Sequence, residues 1–182
     1  MGWLQRRKVY AGYRRPKRFD RNLIVIGAGA AGLVTSYIAA AVKAKVTLVE
    51  GHKMGGDCLN YGCVPSKALI RSAKAAQQLR EAGDFGLQPV AAQVDFAAVM
   101  QRVQRIVARI EPHDSVERYS GLGVDVVQGH ARLIDPWTVE IDGRQRLTAP
   151  QIVIATGARP FVPPIPGLDA VGYLTSDPLR GL

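Results

Sequence analysis

The run Asn22–Ile26 (NLIVI) is almost wholly apolar and leads directly into Gly27-Ala28-Gly29-Ala30-Ala31-Gly32. A short run that is apolar on both faces is a buried parallel strand. Ala30–Val42 is alanine-rich and reads as a helix of small side chains, and Val46–Glu50 (VTLVE) is a second, β-branched strand. Strand, crossover helix and parallel strand fit into about 30 residues, the length such a crossover needs. The chain is therefore constrained to the α/β class, with a Rossmann-like parallel sheet. Within the G-x-G-x-x-G pattern, Gly27 permits the tight turn, Gly29 lets the backbone approach a pyrophosphate, and Gly32 lets the helix pack closely on the sheet. The helix N-terminus offers free N–H groups and partial positive charge. Glu50 closes the next strand, 18 residues after Gly32, where a carboxylate accepts hydrogen bonds from a ribose hydroxyl. A glycine-rich turn alone is common in any α/β protein. Strand, helix and acid together make it a dinucleotide fingerprint, which by itself does not separate FAD from NAD.

Further along, Gly51–Gly62 carries four glycines besides Asp and Asn and reads as a loop. Val64–Ala82 reads as a helix with Pro65 in its first turn, where a missing N–H does no harm. Asp95 is placed to cap a third helix whose apolar positions Phe96, Val99, Met100, Val103, Ile106, Val107 and Ile110 follow helical spacing. Pro112 kinks or ends it. Over residues 124–149 the pattern changes. Val124–Val127, Ala131–Ile134, Trp137–Ile141 and Arg146–Thr148 are short strand-like runs separated by Asp135-Pro136 and Asp142-Gly143 turns, which together predict a small antiparallel β-meander. Ile152–Ala155 (IVIA) returns to a buried-strand pattern, and the four prolines of Arg159–Gly167 make an extended connector.

Cys58 and Cys63 lie in Gly55-Gly56-Asp57-Cys58-Leu59-Asn60-Tyr61-Gly62-Cys63-Val64-Pro65-Ser66-Lys67. A structural disulfide across four residues would contribute little, because cross-link stabilisation grows with loop length. A structural zinc site needs four ligands, and no second cysteine pair exists. Redox chemistry fits better. Cys63 stands just before the helix start, where the thiolate is favoured. Lys67, four residues on, shares its helical face and can favour that thiolate or face an anionic cofactor. Cys58, in the glycine-rich loop, is expected to be the more accessible sulfur. Two inert buried cysteines are the ordinary alternative.

The segment GGDCLNYGCVPSK closely resembles the redox motif of the class I pyridine nucleotide-disulfide oxidoreductases, the family that includes dihydrolipoamide dehydrogenase, mercuric reductase and glutathione reductase. The likeness runs from about Asn22 to Leu182. It implies that the dinucleotide is FAD, that Cys58 and Cys63 form the redox-active disulfide, that Cys63 is the flavin-facing charge-transfer thiol, and that Cys58 is the interchange thiol. Lys67 would sit by the flavin ring. Ile152–Gly157 (IVIATG) resembles the second FAD motif, with Thr156 and Gly157 near the cofactor, although a buried strand ending in a glycine turn has the same pattern. Gly129-His130-Ala131 falls where relatives contact the adenine end. The implied cofactor-binding set is thus Gly27, Gly29, Ala30, Ala31, Gly32, Glu50, Gly51, Gly56, Asp57, Lys67, Ala131, Thr156 and Gly157, with no metal. Two departures stand out. Asp57 replaces the commoner threonine beside the first cysteine, and Tyr61 replaces a small or aliphatic residue between the cysteines; both bear on substrate access or the flavin environment.

In this family electrons pass from NAD(P)H to FAD, to the disulfide and then to a small-molecule substrate. The 182 residues contain no second G-x-G-x-x-G, no later Gly-Asp FAD motif and no C-terminal His-Glu acid–base pair, and His52, His113 and His130 read as surface or turn residues. The expectation is an incomplete flavoprotein. Residues 1–20 are a basic arm, 21–158 an FAD-binding domain with the redox disulfide, and 159–182 a connector, including a Tyr173–Asp177 segment, toward a nicotinamide domain. NAD(P)H is a co-substrate and homodimerisation a property of the full-length family. The alternative is a non-catalytic dinucleotide-binding module.

Net charge is +9, but residues 1–18 hold seven bases and no acid, leaving 17 bases against 15 acids in the remainder. The high charge thus describes the arm, a candidate for contact with an anionic membrane or otherwise a solvated terminus. Trp3, Tyr10 and Tyr13 interleave with its bases, yet no nucleic-acid-binding signature follows. No apolar run reaches bilayer-spanning length, and the arm lacks the apolar core of a secretory signal and the serines of a transit peptide. Two cysteines without an export signal point to the reducing cytoplasm.

Overall fold

The computed structural model describes residues 10–175. Arg6, Arg7 and Lys8 of the basic arm, with Trp3, and Ser176 and Asp177 of the connector lie outside the described residues. In chain order the elements are β1 (Leu23–Ile26), α1 (Ala30–Ala41), β2 (Val46–Glu50), α2 (Gly56–Asn60), α3 (Cys63–Arg80), α4 (Phe96–Ile110), α5 (Val116–Gly121), β3 (Val124–Gln128), β4 (Ala131–Asp135), β5 (Thr138–Ile141), β6 (Gln145–Thr148), β7 (Ile152–Ile154) and α6 (Leu168–Val171). Single 3₁₀ turns follow α3 and α4. The chain forms two compact units, residues 10–54 with 114–157 and residues 55–113 with 158–175.

The first unit is built on a four-stranded sheet of order β3-β2-β1-β7, parallel throughout, and a separate three-stranded antiparallel sheet, β4-β5-β6. Ile24, Val25 and Leu48 of the central strands are fully buried, as the unbroken apolar runs require. Gly32, Leu33, Ser36 and Ala40 are the buried face of α1, so its small residues bring helix and sheet close. Thr47, buried mid-strand in β2, accepts from Arg21 Nε at 2.6 Å and donates to Asp125 Oδ2 at 2.9 Å. Thus its hydroxyl is satisfied where it would otherwise be costly.

Two strand assignments change. The run 124–127 is expected as the first strand of the meander, but β3 pairs in parallel with β2, Val46 opposite Val124 through Glu50 opposite Gln128. Only the later three runs form the antiparallel sheet. Asp142 and Gly143, both at positive φ, turn β5 into β6. The IVIA strand is expected to be buried, yet β7 is an edge strand pairing only with β1, and Ile154 is 63% exposed. The described end of the basic arm is tied down. The Tyr10 ring stacks on Trp137 at 5.2 Å, and Asp20 Oδ2 accepts from the Thr148 N–H and hydroxyl.

In the second unit α3 and α4 pack together with α2 alongside. Asp95 caps α4, accepting from Ala98 N at 3.0 Å. Val103 and Val107 are the buried residues of α4, and Arg102 Nη1 donates to the Ala68 carbonyl at 2.8 Å. The 51–62 segment is not all loop. Gly55 takes a left-handed conformation (φ 84°) and starts α2, which holds because Leu59 is buried and Asn60 Nδ2 donates to the Gly56 carbonyl at 2.9 Å. From Ala158 to Ile165 the connector has no regular structure.

Candidate functional site

All four parallel strands deliver their carboxyl ends to one edge of the sheet. Gly27 follows β1, Glu50 and Gly51 end β2, Gly129-His130 follows β3, and Ala155-Thr156-Gly157 follows β7. The ladder continues past the strands. Gly27 N donates to Val49 O, Gly129 N to Glu50 O, and Ala155 N to Ile26 O, each at 2.8 Å. The chain leaves β1 toward β2 on one side and returns through β7 on the other, so Gly27 stands at the switch point where open α/β sheets bind ligands.

The glycines there are required by space. Gly27 has φ 102°, and a Cβ on it would penetrate the Ala155 carbonyl; one on Gly32 would penetrate the Gly27 carbonyl. The two segments predicted to hold the cofactor, 27–32 and 152–157, therefore meet. Gly29 is the N-cap of α1, in extended conformation, with no capping side chain and no acid in the first turn. Ala30 and Ala31 are exposed in that turn. Uncapped N–H groups at a helix start with no acid in its own first turn suit a diphosphate.

Glu50 is 8% exposed. Its Oε2 accepts from Ala28 N at 2.5 Å and its Oε1 from His52 N at 2.7 Å, so it joins the fingerprint turn to the loop after β2. Sequence reasoning missed how closely the next turn is drawn in. His52 and His130 meet edge to face at 5.3 Å, and a Cβ on Gly51 would stand 2.8 Å from His130 Nδ1. Asp142 Oδ1 holds the His130 N–H at 2.8 Å beside Ala131. A histidine in a turn gives no signal of its partner, so this pair was not legible from spacing.

The sulfurs belong to the second unit, together with Gly56, Asp57 and Lys67. Cys63 is the first residue of α3 rather than the residue before it, with Gly62 as N-cap. Both cysteines are thiols. Their accessibility is the reverse of the expectation. Cys63 is exposed and Cys58 half-buried beside buried Leu59 and Asn60. The Cys58 thiol is pushed up by its hydrogen bond with the Cys63 side chain, then by burial and the like charge of a Cys63 thiolate. Lys67 and the Cys63 backbone N–H pull it down. The pair and Lys67 therefore interact at the start of α3. Among the described residues no group of three or more His, Cys, Asp or Glu side chains could hold a metal ion, and no helix is long and apolar enough to cross a membrane.

Comparison with known proteins matches this architecture. The chain is 36% identical over 164 residues to a mercuric reductase of Bacillus cereus, covering 90% of this chain and 26% of the relative. It is 34% identical over 172 residues to a dihydrolipoyl dehydrogenase of Bacillus subtilis (strain 168), covering 87% and 36%. In structure it is similar to the Cu(II) complex of the HOCl-induced flavoprotein disulfide reductase RclA from Escherichia coli, with a TM-score of 0.70 and 27% identity over 88% of this chain and 33% of that one. The chain thus spans about a quarter to a third of these relatives. Residues 21–178 match the family described as pyridine nucleotide-disulphide oxidoreductase. A parallel sheet with its fingerprint turn at the switch point and a paired dithiol at a helix start are what that match covers, and the chain belongs to the pyridine nucleotide-disulphide oxidoreductase family.

Proposed function

We propose that this chain supplies the FAD-binding and dithiol-bearing part of a flavoprotein that carries electrons from NAD(P)H to FAD, to the Cys58–Cys63 disulfide, and on to a disulfide, dithiol or metal substrate. The observation that carries the reading is the placing of Cys58 on α2, Cys63 as the first residue of α3 and Lys67 one turn along, close enough that Cys63 raises and Lys67 lowers the Cys58 thiol. The relatives' names (mercuric reductase, dihydrolipoyl dehydrogenase, glutathione reductase) and the Cu(II) complex of RclA span those substrate classes. Reducing thiol chemistry of this kind suits the cytoplasm.

The α1 N-terminus, with Gly29, Ala30 and Ala31, would hold the FAD diphosphate, and Glu50 a ribose hydroxyl. Gly51 and Ala131 would line the adenosine end, while Thr156 and Gly157 complete the cradle beside Gly27. FAD, when bound, supplies the two-electron carrier between the nicotinamide and the sulfurs. Lys67 pulls the Cys58 thiol down, while the thiol's hydrogen bonding to the Cys63 side chain and its burial hold it up. Gly56 and Asp57 position the turn that presents Cys58.

The test is spectroscopic. The chain purified with FAD is expected to be yellow, and mild two-electron reduction to produce a long-wavelength charge-transfer band that is lost in Cys63→Ser. A colourless chain that takes up no FAD would refute the reading.

A further inference from the structure

We infer that Asp57 is a positioning residue whose carboxylate, at the N-cap of α3, sets the pH at which the Cys58–Cys63 pair releases its proton. The inference deepens the proposed role of the pair and rests on it. Asp57 is the second residue of α2. Its carbonyl accepts from both Tyr61 N at 2.8 Å and Gly62 N at 2.7 Å, folding the end of α2 back over its own start. That fold brings the side chain to Gly62, where an added Cβ would stand 2.8 Å from Asp57 Oδ2. Gly62 is the N-cap of α3 and the next residue is Cys63.

A carboxylate and a thiolate thus compete for one helix N-terminus, which favours negative charge within its first turn only. α3 has no acid of its own in that turn, so the carboxylate comes from the preceding element. Arg71 and Lys74 stand further along α3, both exposed. From within α3, Lys67 lowers the Cys58 thiol. On α4, Arg102 is committed to the Ala68 carbonyl and Ser72 Oγ, and Arg105 and Arg109 are exposed. Among the described residues no cation is paired with Asp57, and its charge remains to oppose Lys67 across the pair.

The experiment uses the reduced chain without FAD. Iodoacetamide alkylation of Cys58 and Cys63 is followed against pH by peptide mass spectrometry for the wild type and for Asp57→Asn, Asp57→Thr and Asp57→Glu. Removing a charge held beside the α3 N-cap in a largely aqueous setting should lower the alkylation midpoint by about half to one pH unit in Asp57→Asn and Asp57→Thr. Asp57→Glu should stay near the wild-type midpoint. At 1 M KCl the difference should shrink by about half or more. An unchanged midpoint in both neutral variants, or an equal change in Asp57→Glu, overturns the proposal; so does loss of folding in all three variants, which would make the carboxylate a structural group. Failure of the wider reading shows separately, as wild-type chain that binds no FAD while the midpoint shift persists.

Discussion

Glu50 Oε2 accepts the Ala28 backbone N–H at 2.5 Å, and the same carboxylate takes the His52 N–H through its other oxygen. One buried side chain therefore holds the fingerprint turn and the loop after β2 in a fixed relation. Glu50→Ala leaves two donors without their acceptor, at about 1–3 kcal/mol each where they stay buried. The expected outcome is a melting temperature lowered by several degrees and FAD affinity reduced at least tenfold. Glu50→Gln, which keeps one acceptor, should fall between. Thermal denaturation without FAD and a fluorescence titration with it separate the two effects.

Gly32 allows no side chain. An alanine there would drive Cβ into the Gly27 carbonyl, and the alternative of shifting Gly27 is blocked, since its own φ of 102° and its proximity to the Ala155 carbonyl leave no room. Gly32→Ala is expected to cost about 3 kcal/mol or more in urea denaturation and to abolish FAD retention. Gly143→Ala, at positive φ but with open space around it, should cost only about 1 kcal/mol and leave FAD uptake intact.

The parts legible in the sequence were those fixed locally. The β1–α1–β2 unit follows from an apolar run, three glycines and an acid, and its boundaries hold to within a residue. The run 124–127 reads as a meander strand because its short apolar pattern matches that of the runs after it. What separates them is pairing with β2, more than 70 residues earlier in the chain, which no local pattern encodes. The order of sulfur accessibility failed for a similar reason. Cys58 stands on a short helix beside buried Leu59 and Asn60, in a segment whose glycines read as loop.

Arg21, Thr47 and Asp125 form a closed cluster across β2 and β3, with Arg21 Nη2 2.6 Å from Asp125 Oδ2. Partial burial pushes the Asp125 carboxyl up, but the hydrogen bonds from Arg21 and Thr47 and the charges of Arg21 and Lys45 outweigh it, so its pKa is lowered. A carboxylate with a lowered folded pKa contributes stability that is fully present above the unfolded value near 3.9 and is lost as pH falls through the folded value. Half-exposed as it is, the group should contribute about 1 kcal/mol at pH 7. Asp125→Asn should therefore lose about that much at pH 7 and converge on the wild type in urea denaturation as pH falls below the unfolded carboxyl value and through the lowered folded one. A constant difference at all pH values would exclude the linkage.

The last expectation concerns which sulfur reacts first. Cys63 is exposed at the start of α3 and Cys58 is half-buried. The Cys58 thiol is held up chiefly by its hydrogen bond with the Cys63 side chain, with burial adding to it. A raised thiol pKa means less thiolate at a given pH, and thiolate is the species that attacks. Both exposure and protonation thus slow Cys58. In the reduced chain at pH 7.5, limiting iodoacetamide should label Cys63 at least several-fold faster than Cys58, read by peptide mass spectrometry. Cys63→Ser removes the sulfur hydrogen-bond partner and with it the like charge that raise Cys58, so Cys58 in that variant should titrate at lower pH and alkylate faster than in the wild type. Cys58→Ala, by contrast, leaves Cys63 exposed at the helix start and should leave its labelling rate within about twofold. Faster labelling of Cys58 in the wild type would show that α2 opens readily from its buried Leu59 and Asn60, and would restore Cys58 as the more accessible sulfur.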